Sequence, residues 1–85
     1  MLEEQRKRID EIDDEIARLL KERFFVTEEV AIIKKKYDLP VKNSAREREI
    51  IERLTADLTD DMAKNIEVLF NMIFDLSRSQ QTKMI

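Results

Sequence analysis

Apolar residues in the N-terminal half of the chain recur at steps of three and four: Ile9, Ile12, Ile16 and Leu19, then Val26, Val30 and Ile33, with Arg23 standing in line between the two groups. Such spacing is one stripe of an α-helix turned toward an apolar partner. No breaker occurs before "YDLP", so the pattern predicts a helix over residues 3–36. Asp38 and Pro40 mark a loop. "NSAREREIIERL" then opens a second helix, capped by Asn43 or Ser44, with Ser44 and Glu47 at capping-box spacing and Ile50, Ile51, Leu54 and Leu58 as a narrow apolar face. "TDD" at 59–61 starts a third helix, its carboxylates suited to the positive end of the helix dipole. That helix carries Met62, Ile66, Leu69, Phe70, Ile73 and Phe74, and its 66-70-73 line continues into Ser77 and Gln81.

The lengths of these elements bear on assembly. Thirty-four helical residues extend about 51 Å, whereas a compact chain of this size has a radius of gyration of about 12 Å. The first helix must therefore overhang its own two partners, and its stripe calls for a second chain. The expected fold is all-α: three helices per chain, one of them very long and N-terminal, in an intertwined homodimeric bundle, with residues 1–85 forming one helical domain.

Composition agrees with this picture and removes several chemistries. The chain has no glycine, one proline and 41% charged residues, which leaves few tight turns. With neither cysteine nor histidine there are no disulfides, and the usual zinc sites and the commonest general base are missing, so no metal site is expected. The net charge of −3, with signs interspersed, gives no basic face for nucleic acid. No segment resembles a signal peptide or reaches bilayer-spanning length, so the expectation is a cytoplasmic chain without membrane contact.

The polar residues on the apolar faces are the candidates for function. A guanidinium on a core stripe costs several kcal/mol to desolvate unless an anion meets it, so Arg23 needs a partner. Lys34 lies 11 residues further on, close to three whole turns, and points from the same face about 16 Å away. Arg6 points roughly 100° away from Arg23, a direction better suited to a neighbouring subunit. Arg46 and Glu47 stand at the top of the second helix, and Ser77 and Gln81 end the stripe of the third. Each also has a plainer reading: Arg6 and Lys34 as solvated charges, Glu47 as a capping residue, Ser77 and Gln81 as the place where burial ends, Arg23 as half of an interhelical ion pair. Taken by spacing alone, these residues amount to a helical dimer with an anion site.

Their order and separations resemble the all-helical class of chorismate mutases. The likeness covers nearly the whole chain: Arg6, "LLKER" ending at Arg23, Lys34, the "LPV" loop, "REREIIERL" with Arg46 and Glu47, and "LSRSQQ" with Ser77 and Gln81. The resemblance implies an intertwined homodimer with two equivalent sites, each taking Arg6 from one subunit and the other residues from its partner. It further implies a dianionic substrate, chorismate, rearranged to prephenate on the way to phenylalanine and tyrosine without any cofactor. Arg6 and Arg23 would grip the carboxylates, Lys34 and Gln81 would donate to the ether oxygen, and Glu47 would accept from the ring hydroxyl. Arg46, Ser77 and Asn43 would support these contacts from the rim. The family often has aspartate where this chain has Asn43, and the link between the second and third helices is short. Two other readings stand beside this one: an isochorismate-pyruvate lyase of similar fold, and a non-catalytic dimerisation or regulatory module whose stripe charges are ion pairs that set register.

Overall fold

Helix α1 runs unbroken from Glu3 to Lys36 in the computed structural model, which describes residues 1–84. Its composition accounts for its length. Glu3 and Glu4 occupy the first turn and Lys34, Lys35 and Lys36 the last, each complementing the dipole. On the exposed side Arg18 pairs with Glu15 and Glu22 at i,i+3 and i,i+4 spacing. Its hydrogen bond holds the Glu15 carboxyl below the ordinary carboxylate value. Termination is local: Tyr37 N–H donates to Ile33 O at 3.1 Å, Leu39 N–H to Lys34 O at 2.8 Å, and Asp38 takes the left-handed conformation (φ 54°). Glycine is the usual residue there, and aspartate tolerates the region better than most.

Helix α2 spans Ser44–Thr55 and α3 spans Asp60–Met84. Of the two candidate caps for α2, Asn43 serves: its Oδ1 accepts from Arg46 N–H at 3.0 Å. The expected capping box between Ser44 and Glu47 is not formed, because Ser44 is already helical and the Glu47 carboxylate turns to α3. Leu58, expected on the face of α2, lies in the turn after it and is exposed, since the helix ends three residues earlier. Thr59 Oγ1 accepts from Met62 N–H at 3.3 Å and starts α3.

Helix α3 is the shared floor. Both α1 and α2 pack on it, while among the described residues α1 and α2 make no close approach to each other. On α1 the contact line is Thr27 and Ala31, both buried, flanked by half-buried Leu20, Phe24 and Val30. The small side chains at 27 and 31 let the two helix axes come together, and Thr27 Oγ1 is satisfied by Arg23 O at 2.9 Å. The line is one position out of step with the apolar stripe counted along the sequence. Ile9, Ile12, Ile16, Leu19, Val26 and Ile33 are 42–54% exposed, with no partner among the described residues that covers them. On α3 the packed side holds Ile66, Phe70, Ile73, Phe74, Ser77 and Gln81, but Met62 and Leu69, expected with them, are exposed beside Val68, Met72 and Leu76. The chain extends 55 × 26 × 15 Å with a radius of gyration of 15.8 Å, well above the value for a compact chain of its length.

Ala31 is 1% exposed on the line where α1 packs on α3, and a longer side chain there presses on the packed helices. The substitution Ala31→Leu is expected to destabilise the fold by about 1–3 kcal/mol, read as a lowered denaturant midpoint with unchanged helical content.

Candidate active site

Because α1 and α2 stand apart on α3, a cleft of about 280 Å³ opens between them. Its α1 wall is Arg23, Val26, Val30 and Lys34, the residues beside the Thr27–Ala31 contact line. Asn43, Arg46, Glu47 and Ile50 form the α2 wall, with Val41 of the loop at one end, and the floor is Phe74, Ser77, Arg78 and Gln81 of α3. Three separate helices thus bring together Arg23, Lys34, Asn43, Arg46, Glu47, Ser77 and Gln81, all expected at the site. Arg6 is not among them. It is exposed on the overhanging part of α1, 17 residues before Arg23 and hence about 26 Å away along the helix. No bending of an uninterrupted helix returns it to the cleft of its own chain.

Arg23 is half-buried and has no carboxylate within ion-pair distance among the described residues. It donates to Ser77 Oγ at 3.0 Å, and its guanidinium carbon lies 5.8 Å from the centre of the Phe74 ring, a cation–π arrangement. Burial lowers its pKa, and the positive charge of Arg46 lowers it further. A guanidinium is not deprotonated in proteins, so the group is charged at neutral pH. Lys34 is likewise free of carboxylates among the described residues and donates to Val41 O at 2.7 Å, which ties the loop to α1 and fixes the ammonium at the end of the cleft. Arg46 instead leans outward to Glu49 at 2.7 Å.

Gln80 and Gln81 each have a buried Oε1 without a hydrogen-bond partner among the described residues, but the two amides face different ways. Gln80 donates to Phe24 O at 3.1 Å and to Glu28 Oε1 at 3.3 Å, fastening α3 to α1 away from the cleft. Gln81 is 6% exposed and lines the cleft, and its Oε1 has no hydrogen-bond partner among the described residues. A buried amide oxygen left unpaired costs about 1–3 kcal/mol, which a well-packed helix end would avoid with a leucine. In the cleft this amide lies beside Arg23 and Lys34, neither of which has a carboxylate partner among the described residues.

One cleft residue was not singled out in the sequence. Arg78, next to Ser77 in "LSRSQQ", pairs across the helices with Glu47 and along its own helix with Asp75. The hydrogen bond to Glu47 is the main reason its pKa is raised, with burial opposing. Its signal was faint, since an arginine three residues after an aspartate on a polar helix edge reads as an ordinary surface pair. A larger depression of about 480 Å³ lies beside the last turn of α1, lined by Ala31, Ile32, Lys35, Lys36 and Met84. It has no convergent polar groups, and the physical case for a site rests with the smaller cleft. Among the described residues no cluster of three or more acids, histidines or cysteines is placed to hold a metal, and no helix is long and apolar enough to cross a membrane.

Residues 5–82 match the family model described as "Chorismate mutase type II". The chain is similar to a "Bifunctional chorismate mutase/prephenate dehydratase" of Aquifex aeolicus, 49% identical over 53 residues that cover 62% of this chain and 15% of that protein. It is also similar to a "Chorismate mutase" of Methanocaldococcus jannaschii, 42% identical over 53 residues, 62% of this chain and 54% of the relative. The matched stretch thus spans about half of one relative and a small part of the other. No solved structure matches at a significant level.

An uncompensated charge at Arg23 opposes folding of the free chain. The substitution Arg23→Met, similar in length and apolar, should therefore leave the thermal midpoint unchanged or raise it in the absence of any ligand. A fall of several degrees by differential scanning calorimetry would instead give Arg23 a structural role through Ser77 and Phe74.

Proposed function

The chain belongs to the chorismate mutase type II family, and from that premise we propose that it converts chorismate to prephenate at the cleft between α1 and α2. One observation carries this reading: Arg23 and Lys34 face a single cleft with no carboxylate of their own among the described residues, and the buried Gln81 amide lies between the same walls. That is a receptor for a dianion with a polar middle. In chorismate the two carboxylates supply the charge and the ether oxygen the polar middle.

The rearrangement suits what this chain contains. The ether carbon–oxygen bond breaks as a carbon–carbon bond forms, through one cyclic shift of electron pairs, and no proton is transferred. A chain without histidine or cysteine loses nothing by lacking them. The protein must hold the enolpyruvyl arm over the ring in a near-attack geometry and stabilise negative charge growing on the ether oxygen. Arg23, oriented by Ser77, takes one carboxylate through its planar fork. Lys34, fixed by Val41 O, and Gln81 donate to the ether oxygen. Glu47 accepts from the ring hydroxyl. Asn43 uses its Oδ1 as the α2 cap, a task it performs as well as the aspartate often found there in the family, and Arg46 supports the rim.

The second carboxylate is assigned to Arg6 of a second copy of the chain. The uncovered stripe from Ile9 to Ile33 and the exposed Val68, Leu69, Met72 and Leu76 supply an apolar surface for such a dimer, with α1 of each chain crossing the other. Two-fold pairing would carry Arg6 on its overhang to the partner's cleft. In a cell this activity would serve phenylalanine and tyrosine synthesis in the cytoplasm.

The direct test is incubation of purified protein with chorismate and identification of the product. Prephenate is expected; release of pyruvate would indicate a lyase, and no turnover would leave a helical module. The shared site has its own test. Arg6→Ala and Arg23→Ala homodimers should each lose at least about a hundredfold in kcat/KM, equivalent to about 2.7 kcal/mol. Mixing and refolding them should restore activity, because a heterodimer places both defects in one site and leaves the other whole. Failure of the mixture to recover would remove Arg6 from the site.

A further inference from the structure

We propose that Arg78 is a positioning residue for Glu47, setting the carboxylate that receives the substrate hydroxyl and cancelling its charge toward a dianion. This rests on the chorismate mutase reading and adds to it a residue outside the expected set. Glu47 is the one acid among the residues lining the cleft, and a lone carboxylate beside a dianionic substrate would repel it. Arg78 lines the same cleft, and its Nη1 binds Glu47 Oε2, leaving Oε1 as the acceptor. Its Nη2 binds Asp75 Oδ1, so the guanidinium is held from its own helix while it holds a residue of α2. The chain Asp75–Arg78–Glu47 runs from solvent inward: Asp75 is 71% exposed, whereas Arg78 and Glu47 are each 24% exposed. Arg46, which adjoins Glu47 in sequence, does not do this work because its guanidinium is turned to Glu49.

The geometry separates this role from that of a simple interhelical clamp. A clamp needs only the attraction between α2 and α3, which Ile50 and Phe74 already supply by burial. A positioning residue acts on the substrate through Glu47, so its loss must vanish when Glu47 can no longer act. The contact to a ring hydroxyl is made alike in bound substrate and transition state, and its loss raises KM with kcat little changed.

The experiment is a double-mutant cycle on chorismate turnover, with circular dichroism and thermal midpoints recorded for each protein. Arg78→Met should raise KM about tenfold and change kcat by less than about twofold, Arg78→Lys should recover most of that loss, and the double variant with Glu47→Gln should be no worse than Glu47→Gln alone. Asp75→Asn, exposed and harmless to folding, should raise KM about two- to threefold and serves if Arg78→Met does not fold. Losses that multiply in the double variant, or an unchanged KM in both Arg78→Met and Asp75→Asn, overturn the proposal. Wild-type protein that does not turn over chorismate overturns the parent reading before any variant is compared, so the two failures are distinct.

Discussion

A helix of 34 residues is about 51 Å long, and a helix of 25 residues about 37 Å. That mismatch governs the rest of this structure. Helix α3 supports α1 only from about Leu20 to Lys34, so the N-terminal half of α1 stands clear of its own chain with isoleucines on one side. The same length separates Arg6 from Arg23. A shorter α1 would give a closed three-helix globule without an uncovered isoleucine stripe. The thin core follows as well: among the described residues the buried apolar side chains are Ala31, Ile50 and Phe74, few for a chain that must fold alone.

The second consequence is the cleft. Two helices laid on a third without touching each other leave a groove whose walls are set by the supports and not by mutual packing. Eight polar residues carried by the three helices and the α2 cap converge there, and the distribution of ion pairs is uneven. On the exposed face of α1, acids and bases pair locally, as in Glu15, Arg18 and Glu22. In the cleft Arg23 and Lys34 hydrogen-bond, among the described residues, to a hydroxyl and a carbonyl and to no carboxylate. A chain with 19 acidic and 16 basic residues is acidic as a whole, yet it presents a cationic groove. Net charge describes solubility and long-range attraction, while recognition is set by which charges are left without a partner. The free cations and the unpaired Gln81 oxygen oppose stability, and such departures from good packing concentrate where a ligand completes the structure.

How much of this was legible in advance depends on the range of the interaction concerned. The existence, order and starts of the three helices follow from local rules, while the end of α2 came earlier than its apolar face implied. The boundaries of α1, the loop at Asp38, the Asn43 and Thr59 starts and the all-helical class come from spacing, breakers and caps acting within a few residues of one another. The odd arginine on a stripe and the polar continuation of α3 at Ser77 and Gln81 were also visible, because a polar residue on an apolar face is an anomaly that no fold is needed to detect. Resemblance supplied the grouping of those anomalies into one site, and the geometry of the cleft brings all but Arg6 together.

What the sequence could not decide was which neighbour each side chain meets. The stripe of α1 was continuous on paper, but only tertiary packing determined that small Thr27 and Ala31, and not Val26 and Ile33, would seat on α3, because close approach of two axes rewards small volume as much as hydrophobicity. Glu47 carried a capping-box signal that was locally reasonable, and it lost to an arginine 31 residues away that charge pairing across helices made the stronger partner. Gln80 and Gln81 are chemically identical and adjacent, and a rotation of 100° sends one to the backbone of α1 and the other into the cleft. The sequence by itself determined the helices and their anomalies, through periodicity and capping within each segment. The tertiary structure alone decided the pairings between segments, since those depend on crossing geometry and side-chain volume that no single helix encodes.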